Sequence, residues 1–131
     1  MGSFRDVVAW QKGMELLTKI YLVTESFPKR EMYGLTQQIR RAALSVPSNI
    51  AEGKGRQTKK DYLQFLYRAR GSLYEVVTQL DASKNLKFID DAAYTETCEV
   101  AAEAGKVLNG LISNVKKQIE DEQDDPRPPK S

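Results

Sequence analysis

Between Arg40 and Arg70 the chain carries Arg40, Arg41, Lys54, Arg56, Lys59, Lys60, Arg68 and Arg70, opposed only by Glu52 and Asp61. Guanidinium and ammonium groups at this density are donors for anionic oxygens, phosphates above all. Gly53 and Gly55 stand inside the run, where a missing side chain lets backbone come close to a ligand. Two readings stand side by side. Most charge runs are solvated faces; the alternative is a phosphate-binding surface. No motif here reads base edges, so the second reading predicts binding driven by phosphate and shape rather than by sequence.

Other chemistry has little to work with. The 131 residues include no histidine, which removes most zinc sites, histidine general bases and the Glu-x-x-His pairs of di-iron bundles. Glu15, Glu52, Glu75 and Asp81 lack the paired spacing of a carboxylate metal site. Cys98 lies beside Glu96 and Glu99, which disfavour the thiolate a nucleophile requires. A single cysteine also excludes an intrachain disulfide. No catalytic residue, metal or cofactor is therefore assigned, and the chain is expected not to be an enzyme.

The basic residues must be positioned by helices. Val7, Trp10, Met14, Leu17, Tyr21 and Thr24 recur at three- and four-residue steps, flanked by Val8, Leu16 and Ile20. This first helix is expected to stop at Phe27-Pro28. A second steps through Leu35, Ile39, Ala42, Val46 and Ile50. A third steps through Tyr62, Leu66, Ala69, Leu73, Val76 and Leu80. A fourth steps through Tyr94, Ala101, Ala104, Leu108, Leu111 and Val115. Thr58 with Asp61 has the form of a capping box, and Gly53 suits a left-handed position just after helix two. Asp90 and Asp91 ahead of helix four, with Lys116 and Lys117 at its close, match the helix dipole. No alternating strand pattern is found. The expected fold is all-α, an antiparallel up-down-up-down four-helix bundle with a proline-kinked second helix.

Pro47 removes one hydrogen bond from that helix at a cost of about 3 kcal/mol, yet the apolar steps keep phase from Ala42 through Val46 to Ile50. Ser45, Ser48 and Asn49 are close enough to serve carbonyls near the break. The kink either curves helix two around the core or presents backbone groups and Asn49 to a partner.

Hydrophobic content of 40% and charged content of 29% are ordinary for a globular domain. A chain of this length buries roughly two-thirds of its unfolded surface. No signal-like leader or apolar run of about 18 residues is seen, and the expected localisation is cytoplasmic, without membrane contact. Net charge is +2, unevenly spread. Residues 120–131 hold Glu120, Asp121, Glu122, Asp124 and Asp125 against Arg127 and Lys130, with three prolines, and read as a disordered acidic tail after a bundle spanning 1–119. In the bundle topology Arg5, Lys54, Arg56, Lys59, Lys60, Lys116 and Lys117 gather at one pole, with Arg40, Arg41, Arg68 and Arg70 extending the field along helices two and three. The tail starts at that pole, so its acids are expected to compete with nucleic acid for the cations.

The stretches FRDVVAWQKGMEL, FPKREMYGLTQQIRRAALSVPSNIAEGKGR and GSLYEVVTQL resemble the four-helix bundle proteins encoded in intervening sequences of bacterial 23S rRNA genes. The resemblance runs from about Phe4 to Ile89; helix four agrees in pattern and the tail has no counterpart. It implies a left-handed four-helix bundle assembling as a ring-like homopentamer. That fold is similar to the accessory variability protein of diversity-generating retroelements, a basic pentameric partner of a reverse transcriptase and its RNA. A ring needs a heterologous interface, and Tyr33, Tyr67, Tyr74 and Phe88 are candidates for it. Trp10 and Gln11 are read as core and interface residues rather than a base-stacking platform.

Fold alone does not carry an activity. The leading expectation is a non-enzymatic oligomeric accessory protein binding structured RNA or an RNA/DNA hybrid through Arg40, Arg41, Lys54, Arg56, Lys59, Lys60, Arg68, Arg70, Lys116 and Lys117. The alternative is a pentameric adaptor for another protein, such as a reverse transcriptase, with no direct nucleic-acid role.

Overall fold

The computed structural model describes residues 2–123. Four helices make up the body: α1 (Val8–Thr24), α2 (Leu35–Lys54), α3 (Lys59–Asn85) and α4 (Asp91–Gln123), with short 3₁₀ turns at Phe4–Asp6 and Lys29–Glu31. No strand occurs among the described residues. Helix starts use the side chains the sequence offers. Ser3 and Asp6 form a capping box ahead of α1. Thr58 Oγ1 accepts from the Asp61 N–H at 3.1 Å, and Asp90 Oδ1 accepts from the Ala93 N–H at 2.8 Å.

Each helix packs on its chain neighbours, and α1 closes the ring of four against α4. Cross-helix pairs give the directions, because one residue number rises as its partner's falls. On α1 and α4, Lys12 pairs with Glu103 at 3.8 Å and Lys19 with Glu96 at 3.0 Å. On α3 and α4, Arg70 meets Asn109, and Tyr94 donates to Asp81 at 2.5 Å. Ser45 meets Ser72 while Gly53 lies against Phe65 across α2 and α3, and Thr24 meets Arg40 while Gly13 lies against Pro47 across α1 and α2. Neighbouring helices therefore run antiparallel.

The core is formed by Leu16, Ile20, Ile39, Val46, Ile50, Leu66, Val76, Leu80 and Leu108, all essentially inaccessible, with Leu73, Ile112 and Val115 beside them. The expected seams of α2, α3 and α4 lie inward. The α1 seam does so only at Thr24 and at its flanking Leu16 and Ile20. Its buried line is Ala9, Gly13, Leu16, Ile20 and Thr24, while Met14 and Leu17 are half-buried and Tyr21 is 45% exposed. Two apolar stripes compete on this helix, and the stripe with the small residues wins because it allows closer approach to α2. A Cβ placed on Gly13 would already touch Pro47 at 3.4 Å.

α2 is continuous from Leu35 through Pro47 to Lys54. Of the residues expected near the proline, Asn49 serves a carbonyl: its Nδ2 donates to the Ser45 carbonyl at 2.8 Å and to Ser45 Oγ at 2.9 Å. Gly53 corrects the expectation of a left-handed cap, since it lies within α2 and no glycine has positive φ. Its role is steric: a Cβ there would lie 2.6 Å from Phe65 Cβ. α4 runs to Gln123, past the expected boundary at residue 119, so Glu120, Asp121 and Glu122 are helical. The rest of the expected tail, 124–131, lies outside the described residues. Among the described residues no helix is long and apolar enough to cross a membrane.

Candidate nucleic-acid interface

The antiparallel arrangement brings the start of α1, the end of α2, the start of α3 and the end of α4 to one pole. Lys54 borders a hollow there with Val7 and Gln118, and Lys59 and Lys60 border another with Ile119 and Glu122. Lys116 and Lys117 are exposed on the same end of α4. The pole is not uniformly positive, because α4's extra turn carries Glu120, Asp121 and Glu122 into it. Glu122 is ion-paired with Lys59. Glu52 pairs with Arg56 at 3.6 Å. These partners are 44–61% exposed, so each pair contributes at most about 1 kcal/mol and yields readily to a competing anion.

At the α2–α3 junction a more specific arrangement occurs. The Arg56 and Arg68 guanidinium carbons each lie 4.6 Å from the centroid of the Phe65 ring. Phe65 is only 8% exposed, its ring covered in part by these two arginines. A cation over an aromatic ring gains about 0.5–1 kcal/mol at an exposed site, enough to favour one placement of a long side chain. Two guanidinium groups gathered at one ring concentrate positive charge at this junction, which favours an anion nearby. Their planar forks match the oxygens of a phosphate. Nearby, Lys54 Nζ stands 5.7 Å from the Tyr62 ring, whose phenol is pushed above its ordinary pKa by burial.

The other candidates are placed elsewhere. Arg40 turns inward: its Nε donates to Thr24 Oγ1 at 2.9 Å and its guanidinium covers the Tyr21 ring at 4.5 Å. It ties α2 to the end of α1 at the opposite pole. Arg41 is exposed on α2, about 20 Å along the helix from Lys54. Arg70 faces α4, with its guanidinium 5.1 Å from the Tyr67 ring and Nη1 donating to Asn109 Oδ1 at 3.2 Å. The structure thus brings together Lys54, Arg56, Lys59, Lys60 and Arg68, with Lys116 and Lys117 at the same end, and leaves Arg40, Arg41 and Arg70 apart.

Two features escaped the sequence. The Phe65 platform has one legible signal, its three-residue spacing to Arg68; Arg56 reaches it only through the fold of the link. The hydroxyl contact of Ser45 with Ser72 joins residues far apart in the chain and has no local signature. Trp10 is half-buried and meets Phe4 edge-on at 5.4 Å, while Gln11 Nε2 donates to the Arg5 carbonyl at 2.8 Å, so both act within the fold. Of the interface tyrosines and phenylalanine, Tyr33 is 90% and Tyr74 58% exposed. Tyr67 and Phe88 are half-buried against the bundle, Phe88 beside Phe27.

Fold and surface together define an all-α four-helix bundle with arginines stacked at the α2–α3 junction. The chain belongs to the 23S rRNA-intervening sequence protein family, whose pattern matches residues 5–110. It is similar in structure to a Bacteroides thetaiotaomicron VPI-5482 protein with unknown function from the S23 ribosomal protein family. The TM-score is 0.74 at 22% identity, over 81% of this chain and 96% of that one. That likeness concerns the fold. No curated protein matches the chain.

Proposed function

We propose that this protein is a non-enzymatic accessory protein that binds structured RNA or an RNA/DNA hybrid through phosphate contacts, centred on Arg56 and Arg68 with Lys54, Lys59 and Lys60 beside them. The observation that carries the reading is the stacking of Arg56 and Arg68 on the buried Phe65 ring. It gathers two guanidinium groups at one spot on the α2–α3 junction. Arg40, engaged with Thr24, is a structural residue in this reading.

The test is fluorescence anisotropy of labelled duplex RNA, hybrid and single strands against the wild-type protein and an Arg56→Ala/Arg68→Ala variant across a salt series. Log affinity should fall linearly with log salt, with a slope shallower by about two in the variant. Absence of binding even at about 50 mM salt would sink the reading.

A second reading is an oligomeric, pentameric adaptor. It is favoured by Tyr21, Met32, Tyr33 and Leu44, all exposed and surrounding one shallow, mainly apolar hollow. Light scattering decides the oligomeric state. Partner binding that survives loss of the pole's charges but not Tyr33→Ser would support the adaptor.

A further inference from the structure

The α2–α3 face holds a second feature, a polar hollow of about 350 Å³, within the rough 300–1,000 Å³ range of ligand clefts. Its base is built from small residues. Ser72 Oγ donates to Ser45 Oγ at 2.9 Å, and Asn49 Nδ2 donates to the same oxygen. Ser45 Oγ is thereby filled as an acceptor, while its own proton has no acceptor among the described hydrogen bonds.

The walls carry opposite charges and amides: Arg41, Glu75, Gln38 and Gln79. Arg41 and Glu75 line the same hollow and are not ion-paired with each other or with any other described residue. Gln79 Oε1 is buried and has no hydrogen-bond partner among the described residues. A buried orphan of this kind is a cost in the wall of the hollow, relieved if the amide turns toward a donor. Glu75 argues against a phosphate here, since one carboxylate beside one guanidinium leaves the hollow without net charge. A neutral ligand with donors on one edge and acceptors on another fits better.

We propose that this hollow receives one extruded guanine of a bound RNA, an inference that rests on the RNA-binding reading above. Guanine is the base with two adjacent donors, N1–H and N2–H₂, which a single carboxylate can accept together. Its O6 and N7 are the acceptors to which an arginine donates bidentately. Glu75 takes the first edge and Arg41 the second. The Ser45 hydroxyl is available to a ring nitrogen, and the Gln79 side chain takes part only by turning its amide outward. Adenine, cytosine and uracil each present an acceptor next to their donor, which sets a lone pair against Glu75. The phosphates on either side of the extruded base are left to Arg68 and its neighbours.

The experiment has two arms. In the first, anisotropy at about 100 mM salt compares hairpin RNAs identical except for one bulged G, A, C or U. The wild-type protein should bind the bulged G about tenfold more tightly than the others. Glu75→Gln should collapse that ratio, and Arg56→Ala/Arg68→Ala should weaken all hairpins alike while preserving it. Equal wild-type affinity for all of them overturns the guanine subsite and leaves the RNA reading standing. In the second arm, guanosine monophosphate alone is titrated into isotope-labelled protein. Amide shifts at Gln38, Ser45 and Gln79 that vanish in Glu75→Gln support a guanine site even if no hairpin binds and the RNA reading falls. If no hairpin binds, absence of any shift in the second arm overturns it.

Discussion

The absent side chain of Gly53 and the ring of Phe65 are one arrangement: a Cβ on Gly53 would lie 2.6 Å from Phe65 Cβ and 3.0 Å from Tyr62 Cδ1. Glycine at 53 lets α2 and α3 close, and that closure sets the ring on which Arg56 and Arg68 stack. Gly53→Ala should therefore cost roughly 1–3 kcal/mol through overpacking. Gly13→Ala differs in sign. Its Cβ would meet Pro47 at ordinary contact distance, and alanine gains up to about 1 kcal/mol in helix propensity. Denaturant unfolding of the two variants checks the contrast; equal losses would refute the steric account.

Arg40 separates structural from functional cations. Its hydrogen bond to buried Thr24 and its cover of Tyr21 make Arg40→Ala destabilising by roughly 1–2 kcal/mol. RNA affinity should change by less than about twofold, against the larger loss for Arg56→Ala/Arg68→Ala. A large affinity loss with intact stability would return Arg40 to the binding surface.

Glu122 screens Lys59. Exposed ion pairs are weak, so Glu122→Gln should raise RNA affinity at low salt by roughly two- to threefold, and the gain should vanish at high salt. Deleting residues 120–131 should raise it further by removing Glu120 and Asp121 as well. Binding isotherms at two salt concentrations test this; unchanged affinity for the deletion would remove any competitive role for those acids.

Alkaline stability follows from two tyrosines. The phenol of Tyr94 is held above its ordinary pKa, chiefly because it donates to Asp81 and also because of Cys98; that of Tyr62 is raised by burial. Both stay protonated in the folded chain at pH values where the unfolded chain has released the proton, near pH 10. The folded state then binds more protons, so the contribution is intact below about pH 10 and is lost as pH rises through the raised values. Denaturation midpoints followed from pH 9 to 11 should fall for the wild type and fall less for Tyr94→Phe. An identical decline would dissociate Tyr94 from the effect.

The sequence by itself determined the four helices, several of their ends and three of their inner faces. Thr58 and Asp90 carry their capping chemistry locally, and in α2, α3 and α4 one apolar stripe dominates, as Ile39, Val46 and Ile50 illustrate. It also determined that basic residues from distant segments share a pole, because short links force antiparallel neighbours. The buried face of α1 was decided by tertiary packing: Ala9 and Gly13 carry almost no hydrophobic signal, yet their small size allows the close approach to Pro47. Tertiary structure also decided the charge of the pole, because where α4 stops determines whether Glu122 reaches Lys59. The Phe65 platform and the Ser45–Ser72 hollow belong to the same class. They depend on how closely two helices pack across a turn, a distance set by steric contact between residues far apart in the chain rather than by any local pattern.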